Sequence, residues 1–200
     1  MPNNMVHLID DDEDVRRALS FLLGTAGLAV KVYESASDFL AQDPAAVSGC
    51  VVTDVRMPGI DGLELLKRLS VDRVRLPVVI MTGHADVPLA VSAMKHGAVD
   101  FIEKPFADEV LLDAIQAAFA RNSNQPEADH GYVRARLASL TERERQVLDG
   151  LLAGHPNKTI AYDLGLSPRT VEVHRANVMT KMGASSLSEL VRLALKVQGA

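Results

Sequence analysis

The first 120 residues alternate short apolar segments with amphipathic segments, and this alternation constrains the fold more than any other feature. Cys50–Asp54 and residues 77–82 are valine-rich apolar runs, which are typical of buried strands. Residues 62–69 instead repeat leucine at helical spacing. Because five such strand–helix units follow one another, the sequence predicts a five-stranded parallel α/β sheet covered by helices on both faces.

Polar side chains stand at the carboxyl ends of the predicted strands, which is where open parallel sheets bind ligands. They are Asp10, Asp11 and Asp12 after the first strand, Asp54 at the end of the third, Thr82 at the end of the fourth and Lys104 after the fifth. Clustered carboxylates favour a hard cation such as Mg²⁺, and a carboxylate beside Mg²⁺ can attack a phosphoryl group. A lysine and a hydroxyl can neutralise the charge of the transferred group. This edge of the sheet is therefore a candidate phosphoryl-accepting site.

Four motifs in this half resemble the receiver domain of response regulators. They are the segments IDDD at 9–12, VTDVRMPG at 52–59, MTGH at 81–84 and FIEKPF at 101–106. The resemblance implies a flavodoxin-like fold with strand order 2-1-3-4-5. It also implies that Asp54 accepts a phosphoryl group from a sensor histidine kinase.

The same resemblance implies roles for the other residues of the motifs. Asp10, Asp11, Asp54 and the backbone carbonyl of Arg56 would bind Mg²⁺, with Asp11 a direct ligand. Thr82 and Phe101 would form the conformational switch pair, and Lys104 would bind the phosphoryl group. The Lys104–Pro105 peptide would be cis, which X–Pro bonds reach at little cost. Asp12 either supports the acidic pair or caps the first helix, and the sequence leaves both readings open.

The charge of the chain changes sign along its length. Residues 1–121 carry a net charge of −7 and residues 132–200 carry +4. The intervening segment is polar and contains Pro126 and Gly131, a composition typical of linkers. We therefore predict a first domain at 1–121, a linker at 122–135 and a second domain at 136–200. A basic second domain is the asymmetry expected of a module that touches a polyanion.

The second domain carries start and stop signals for four helices. Residues 141–144 and 186–189 are capping boxes, Asn157–Leu164 is a short helix, and Ser167 with Pro168 opens a helix that runs to Met182. A short helix, a turn with Gly165 and a second helix together match a helix-turn-helix, whose second helix enters the major groove. The candidate DNA-contacting residues are Lys158, Arg169, Thr170, Glu172, Val173, Arg175, Ala176, Asn177 and Lys181.

Residues 140–148, 157–161 and 167–174 resemble the LuxR/NarL-type DNA-binding domain. Together with the receiver, this resemblance implies a phosphorylation-activated transcription regulator, similar to those that activate nitrogen-fixation genes through an oxygen-sensing kinase. Double-stranded promoter DNA and RNA polymerase are the expected partners besides the kinase. Phosphorylation would also produce a homodimer through a face that includes Val87, Val91 and Lys95.

Composition excludes several classes of protein. No apolar run reaches the length of a membrane helix, no secretory signal is recognisable, and the single Cys50 excludes an internal disulfide, so a cytoplasmic protein is expected. The resemblance to response regulators implies a phosphoacceptor that is not an enzyme and at most dephosphorylates itself. One alternative is a Mg²⁺-dependent phosphatase of the haloacid-dehalogenase type, with Asp10 as nucleophile and Asp12 as the second acid of an Asp-x-Asp pair. Another is a receiver joined to a protein-binding or RNA-binding helical unit.

Overall fold

The computed structural model of the chain describes residues 5–83, 86–122 and 130–198. These residues form two compact units. The first unit contains residues up to 83 and residues 96–122, and the second contains residues 86–95 and 130–198.

The first unit is a five-stranded parallel sheet with helices. Its elements are β1 (Met5–Ile9), α1 (Glu13–Thr25), β2 (Ala29–Tyr33), α2 (Ala36–Leu40), β3 (Cys50–Asp54), α3 (Gly62–Val71), β4 (Val78–Thr82), β5 (Asp100–Glu103) and α5 (Asp108–Asn122). All strand pairs are parallel and the order is β2-β1-β3-β4-β5, which confirms the predicted fold.

Both faces of the sheet are buried, as the long apolar runs require. Every residue of β3 and β4 is buried, because these central strands are covered on both sides. On one face Leu8, Val52 and Ile102 belong to an apolar cluster with residues of α1 and α5. On the other, His7 lies 5.6 Å from the ring of Phe39 in α2, measured between ring centroids.

His7 is a polar residue buried inside this second face. Its Nε2 lies 3.2 Å from the carbonyl oxygen of Ser48, and its Nδ1 lies 3.0 Å from the Tyr33 hydroxyl. Because a carbonyl can only accept, Nε2 carries the proton and donates it to Ser48. Burial lowers the pKa of His7 below its usual value of 6.5, so the neutral ring is the favoured form.

The second unit is helical. It contains α4 (Val87–Lys95), α6 (His130–Ala138), α7 (Glu142–Leu152), α8 (Asn157–Leu164), α9 (Pro168–Met182) and α10 (Leu187–Gln198). The four predicted helices of the second domain correspond to α7–α10, which confirms them, and α6 is an additional helix of this unit. This helix begins inside the stretch predicted as linker, and it was missed because Val133 is its only buried residue among those described. One buried position produces no helical periodicity.

Side-chain caps begin helices of this unit, and glycines in the left-handed conformation end them, as the sequence predicts. The Thr141 hydroxyl accepts from the Glu144 amide at 3.3 Å, and the Glu144 carboxylate accepts from the Thr141 amide at 2.8 Å. Gly165 and Gly183 adopt φ of 65° and 61°, a conformation that favours glycine, and they end α8 and α9. At the second box, the Glu189 carboxylate accepts from the amide of Ser185, one residue earlier than predicted.

Candidate functional site

Asp10, Asp54 and Lys104 meet at the carboxyl edge of the sheet. Each lies two residues beyond a member of the same apolar cluster, namely Leu8, Val52 and Ile102 respectively. Because side chains alternate between the faces of a strand, the three polar groups are directed to the same side of the sheet. Lys104 Nζ lies 2.8 Å from Asp10 Oδ2 and 2.8 Å from Asp54 Oδ1.

Backbone groups hold the remaining carboxylate oxygens in place. Asp10 Oδ1 accepts from the Asp12 amide at 3.0 Å, and Asp54 Oδ2 accepts from the Arg56 amide at 2.6 Å. The Lys104 amide donates to the Thr82 carbonyl at 2.7 Å, and the Lys104–Pro105 peptide is cis as predicted. Each of the two carboxylates thus has one oxygen on Lys104 and the other on a backbone amide.

Charge decides the protonation state of Lys104. Burial by itself lowers the pKa of this lysine, but hydrogen bonds and charge from Asp10 and Asp54 outweigh burial and raise it above 10.5. The ammonium therefore stays protonated at neutral pH. It presents a fixed positive charge between two acids at the edge of the sheet.

The structure separates the roles of the two neighbouring acids. Asp12 is the N-cap of α1, because its carboxylate accepts from the amides of Asp14 at 2.8 Å and Val15 at 3.3 Å. This observation selects the capping role of Asp12 from the two that the sequence left open. Asp11 is exposed at the mouth of the same turn.

Arg16 is a contributor that the motifs did not reveal. Its guanidinium Nη1 donates to the carbonyls of Asp10 at 2.8 Å and Asp11 at 2.9 Å, which braces the acidic turn from within α1. The signal available in the sequence is a basic residue one and a half helical turns after the acids. On a helix face such a residue is indistinguishable from an ordinary exposed arginine.

A close backbone contact shapes the loop after Asp54. Asp61 caps α3 by accepting from the Glu64 amide at 2.7 Å, and the next residue, Gly62, donates its amide to the Val55 carbonyl at 2.9 Å. A Cβ at Gly62 would lie 2.2 Å from the carbonyl oxygen of Asp54. Only glycine therefore allows α3 to begin this close to the end of β3.

Thr82 and Phe101 lie on the face of the sheet opposite to Lys104. Ile80 pairs with Phe101 in the register of β4 and β5, and Thr82 follows Ile80 by two residues. The side chains of Thr82 and Phe101 are therefore directed to the same face. Thr82 is fully buried and Phe101 is 9 % exposed.

Among the described residues, no group of three or more His, Cys, Asp or Glu side chains is arranged to hold a metal ion. The donor set at the sheet edge nevertheless has the chemistry that Mg²⁺ selects. Carboxylate oxygens of Asp11 and Asp54 and the backbone carbonyl of Arg56 would be the ligands, and oxygen ligands of this kind are those that Mg²⁺ prefers.

The α8–turn–α9 segment has the helix-turn-helix arrangement. One side of α9 is buried through Val171, Val178 and Met182. The opposite side is exposed, and it carries the predicted residues Arg169, Glu172, Val173, Ala176 and Asn177. Lys158 is exposed at the start of α8, whereas Thr170 and Arg175 are half-buried.

Arg169 and Glu172 form an exposed ion pair of 3.1 Å on the outer face of α9. Tyr162 on α8 is an exposed aromatic residue that sequence reasoning did not select, and its side chain is 87 % exposed. His174 of α9 is half-buried, and its Nδ1 is buried with no hydrogen-bond partner among the described residues.

Lys181 differs from the other predicted DNA-contacting residues. Its Nζ donates to Glu144 Oε2 at 2.7 Å and to the Ser139 carbonyl at 3.3 Å, so its charge is engaged within the helical unit. Contact between Lys181 and DNA stays a prediction. The sequence could not reveal the pairing with Glu144, because the two charges are 37 residues apart.

The residues of the predicted dimer face occupy different environments. Lys95 is exposed, Val87 is half-buried and Val91 is 2 % exposed. Val91 is therefore not available on a surface in this conformation. The dimer face stays a prediction.

None of the described helices, within residues 5–83, 86–122 and 130–198, is long and apolar enough to cross a membrane.

Comparisons with known proteins match both units. Residues 6–116 match the response regulator receiver domain, and residues 138–194 match the bacterial regulatory proteins of the luxR family. The chain is 57 % identical to the transcriptional regulatory protein FixJ of Azorhizobium caulinodans, over 98 % of this chain and 94 % of that protein. It is 54 % identical to FixJ of Rhizobium meliloti, over 98 % and 97 % of the two chains.

Among solved structures, full-length FixJ from B. japonicum is similar, with 53 % identity, a TM-score of 0.55 and 98 % of each chain covered. The chain therefore belongs to the response regulators of the FixJ type, which are phosphorylation-activated transcription regulators with a receiver domain and a LuxR-family DNA-binding domain.

Proposed function

We propose that Asp54 accepts a phosphoryl group from the phosphohistidine of a sensor histidine kinase, and that the phosphorylated chain dimerises and activates promoters. The observation that carries the proposal is the position of Lys104 Nζ, 2.8 Å from both Asp54 Oδ1 and Asp10 Oδ2. A cation held against the nucleophile is placed to contact the oxygens of a phosphoryl group that arrives there.

In the proposed transfer, an oxygen of the Asp54 carboxylate bonds to phosphorus while the bond from phosphorus to the kinase histidine breaks. The imidazole leaves with the electron pair of that bond, and Lys104 turns from the carboxylate to a phosphoryl oxygen. Asp10, Asp11, Asp54 and the Arg56 carbonyl would hold Mg²⁺, which when bound neutralises phosphoryl charge. Apart from hydrolysis of the phosphoryl group on Asp54, we propose no catalytic reaction for this chain.

Thr82 and Phe101 would change conformation when Asp54 is phosphorylated. Thr82 ends β4 at the same edge of the sheet as Asp54 but on the opposite face. Its hydroxyl would therefore turn around the end of the strand to a phosphoryl oxygen, and Phe101 would occupy the space released. Dimerisation through Val87, Val91 and Lys95 then requires a state in which Val91 is exposed, since it is 2 % exposed here. A dimer would present two reading helices to paired half-sites.

The proposed DNA contacts lie on α8 and α9. Arg169, Arg175 and Lys158 would contact phosphates, and Glu172 would accept from a cytosine amino group. The exposure of Lys158, Arg169 and Glu172 supports this assignment, and Arg175 is half-buried on the same helix as Arg169. The remaining residues assigned to this surface are Thr170, Val173, Ala176 and Asn177.

The resemblance to nitrogen-fixation regulators supports promoters of that type as targets, under low oxygen and with RNA polymerase as a further partner. Because a bacterial transcription regulator acts where the chromosome is, we place the protein in the cytoplasm. The phosphatase alternative has less support, because it needs the Asp12 carboxylate in the reaction and that group caps α1.

The test uses the full chain, acetyl phosphate and Mg²⁺. Mass spectrometry after digestion is expected to locate the phosphoryl group on Asp54, and Asp54→Asn is expected to remain unlabelled while it keeps the circular dichroism spectrum of the wild type. Asp61→Asn is the matched control, because it changes an exposed acid of the same loop and asparagine keeps the α3 cap. A phosphoryl group found on Asp10 would instead support the phosphatase reading.

DNA selection from a random pool, with and without acetyl phosphate, tests the output. An enriched sequence motif that depends on phosphorylation is the expected result. The same selection is run in parallel on a random RNA pool. Enrichment of RNA in place of DNA, or of neither, would overturn the proposed DNA-binding output.

A further inference from the structure

Lys181 stands in the last turn of α9, and its charge is used inside the helical unit. Its side chain is 36 % exposed, and Nζ donates to Glu144 Oε2 at 2.7 Å. The Glu144 side chain is 5 % exposed, so this acid is covered by its surroundings. An acid in this environment needs its partners, because removal of one leaves a charge without compensation.

Glu144 serves two helices at once. The same oxygen that accepts from Lys181 also accepts from the Thr141 amide at 2.8 Å, in the capping box of α7. The hydrogen bond from Lys181 is the main cause that lowers the pKa of Glu144 below 4.5, with the Thr141 backbone bond second. The carboxylate therefore ties the first turn of α7 to the last turn of α9.

A second cation holds the same end of α9. Arg136 of α6 donates to the carbonyl of Met182, the last residue of α9, and its guanidinium lies 4.1 Å from the ring centroid of Tyr132. Lys181 also reaches back to the carbonyl of Ser139, just after α6. Positive groups at a helix C-terminus are favoured by the helix dipole. The C-terminal end of α9 is consequently anchored to both α6 and α7.

We propose that Lys181 and Glu144 are a positioning pair that sets the orientation of α9, and that this orientation determines the sequence specificity of DNA binding. The inference rests on the proposed DNA contacts of α9, but Lys181 acts through Glu144 and contacts no phosphate. The distance along the axis from Lys181 to Arg169 is about 18 Å at 1.5 Å per residue. If α9 tilts by about 5° about its anchored C-terminal end, Arg169 at the other end moves by roughly 1.5 Å. A shift of this size is enough to break a hydrogen bond to a base.

The first experiment measures DNA affinity of the full chain against salt concentration, with acetyl phosphate present. The duplexes are the motif enriched by selection and a scrambled duplex of the same length. Lys181→Met is expected to lower the ratio of specific to non-specific affinity about tenfold, the scale of one lost base contact, without changing the log–log salt slope. Lys158→Met is the control, since loss of an exposed phosphate contact lowers that slope by about 1.

Glu144→Gln and the double variant test whether the two residues act together. Glu144→Gln is expected to lower the specificity ratio to the same extent as Lys181→Met. The double variant should lose no more than either single variant, because both changes remove one interaction. Lys181→Arg, which keeps a cation within reach, should restore most of the ratio.

Residual dipolar couplings provide a readout that needs no DNA. They measure the angle between α7 and α9, which is expected to change by about 5° in Lys181→Met and Glu144→Gln and to stay constant in Lys158→Met. The same spectra establish that each variant is folded. A wild type that selects no DNA sequence would refute the proposed output, while the helix angle would still test the positioning pair.

Three results would overturn the inference. The first is a salt slope lowered by about 1 in Lys181→Met with an unchanged specificity ratio, which would identify Lys181 as a phosphate contact. The second is additive losses in the double variant. The third is an unchanged angle between α7 and α9 in both charge-removing variants.

Discussion

Replacement of Lys104 by methionine is expected to destabilise the first unit by about 3 kcal/mol. Lys104 is the cation that the structure places between two buried acids, with Asp10 2 % and Asp54 11 % exposed. Removal of one partner from a buried ion pair costs about 3–5 kcal/mol, because the remaining charge is left without compensation. Lys104 itself is 24 % exposed, so water reaches the site and the lower end of that range applies.

A second substitution is expected to recover part of the loss. In the Lys104→Met background, Asp10→Asn removes one of the two acids, and its amide oxygen can still accept from the Asp12 amide. Lys31→Met is the control, since Lys31 is an exposed lysine of the same sheet that donates to Gln42 at 2.8 Å. An exposed change of this kind stays within about 0.5 kcal/mol.

The stabilisation by Lys104 depends on pH with a definite sign. The pKa of Lys104 is raised in the folded chain, so the ammonium contributes its full stabilisation below the usual value of 10.5 and loses it as the pH rises through the folded pKa. The difference in stability between the wild type and Lys104→Met should therefore be constant from about pH 7 to about pH 10 and shrink above it.

Amide hydrogen exchange of β1 and β3 is the suitable assay. Because the chain has two units, a single global unfolding transition is not well defined, whereas exchange at Leu8 and Val52 reports on the opening of the sheet alone. The reasoning would be refuted by a loss below about 1 kcal/mol in Lys104→Met, or by no recovery when Asp10→Asn is added.

Four further substitutions test other parts of the structure. Burial lowers the pKa of His7 in the folded chain, so the neutral ring contributes its full stabilisation above pH 6.5. The stability of the wild type should fall as the pH drops through the folded pKa, by up to about 1.4 kcal/mol per pH unit. His7→Gln should remove this dependence, which hydrogen exchange at pH 5 and pH 7 measures. Gly62→Ala should slow labelling of Asp54 by acetyl phosphate, because its Cβ would lie 2.2 Å from the Asp54 carbonyl oxygen; normal labelling kinetics would contradict this account of the loop. Arg169→Ala should lower the salt slope of DNA binding by about 1, whereas Glu172→Ala should relax selection at one base pair by roughly 1–3 kcal/mol in a competition assay.

Several features of this protein are determined locally and could be predicted from the sequence. The alternation that ends in Asp10, Asp54 and Lys104 places these groups on one side of one edge, because strands have a period of two and parallel strands end together. The start of α9 at Pro168 and its end at Gly183 were also predicted correctly, since capping and left-handed residues act on the backbone beside them.

Other features could not be decided from the sequence. Asp12 had two possible roles, and only the structure shows its carboxylate on the amides of Asp14 and Val15. Arg16 contacts the carbonyls of Asp10 and Asp11, which no helical pattern indicates. Val91 is buried although its sequence pattern allowed an exposed face, because burial depends on what the folded chain packs beside a residue.

The contacts of Lys181 are the clearest example of a feature that the sequence could not predict. From the sequence alone it is a basic residue on a reading helix, and such residues commonly contact phosphates. Only the tertiary structure brings it to Glu144, which lies 37 residues earlier, and to α6, a helix too weakly patterned to predict. Local signals determined where the helices and strands begin and end, whereas the partners of charged side chains were decided by packing, because ion pairs form between groups that the fold brings together.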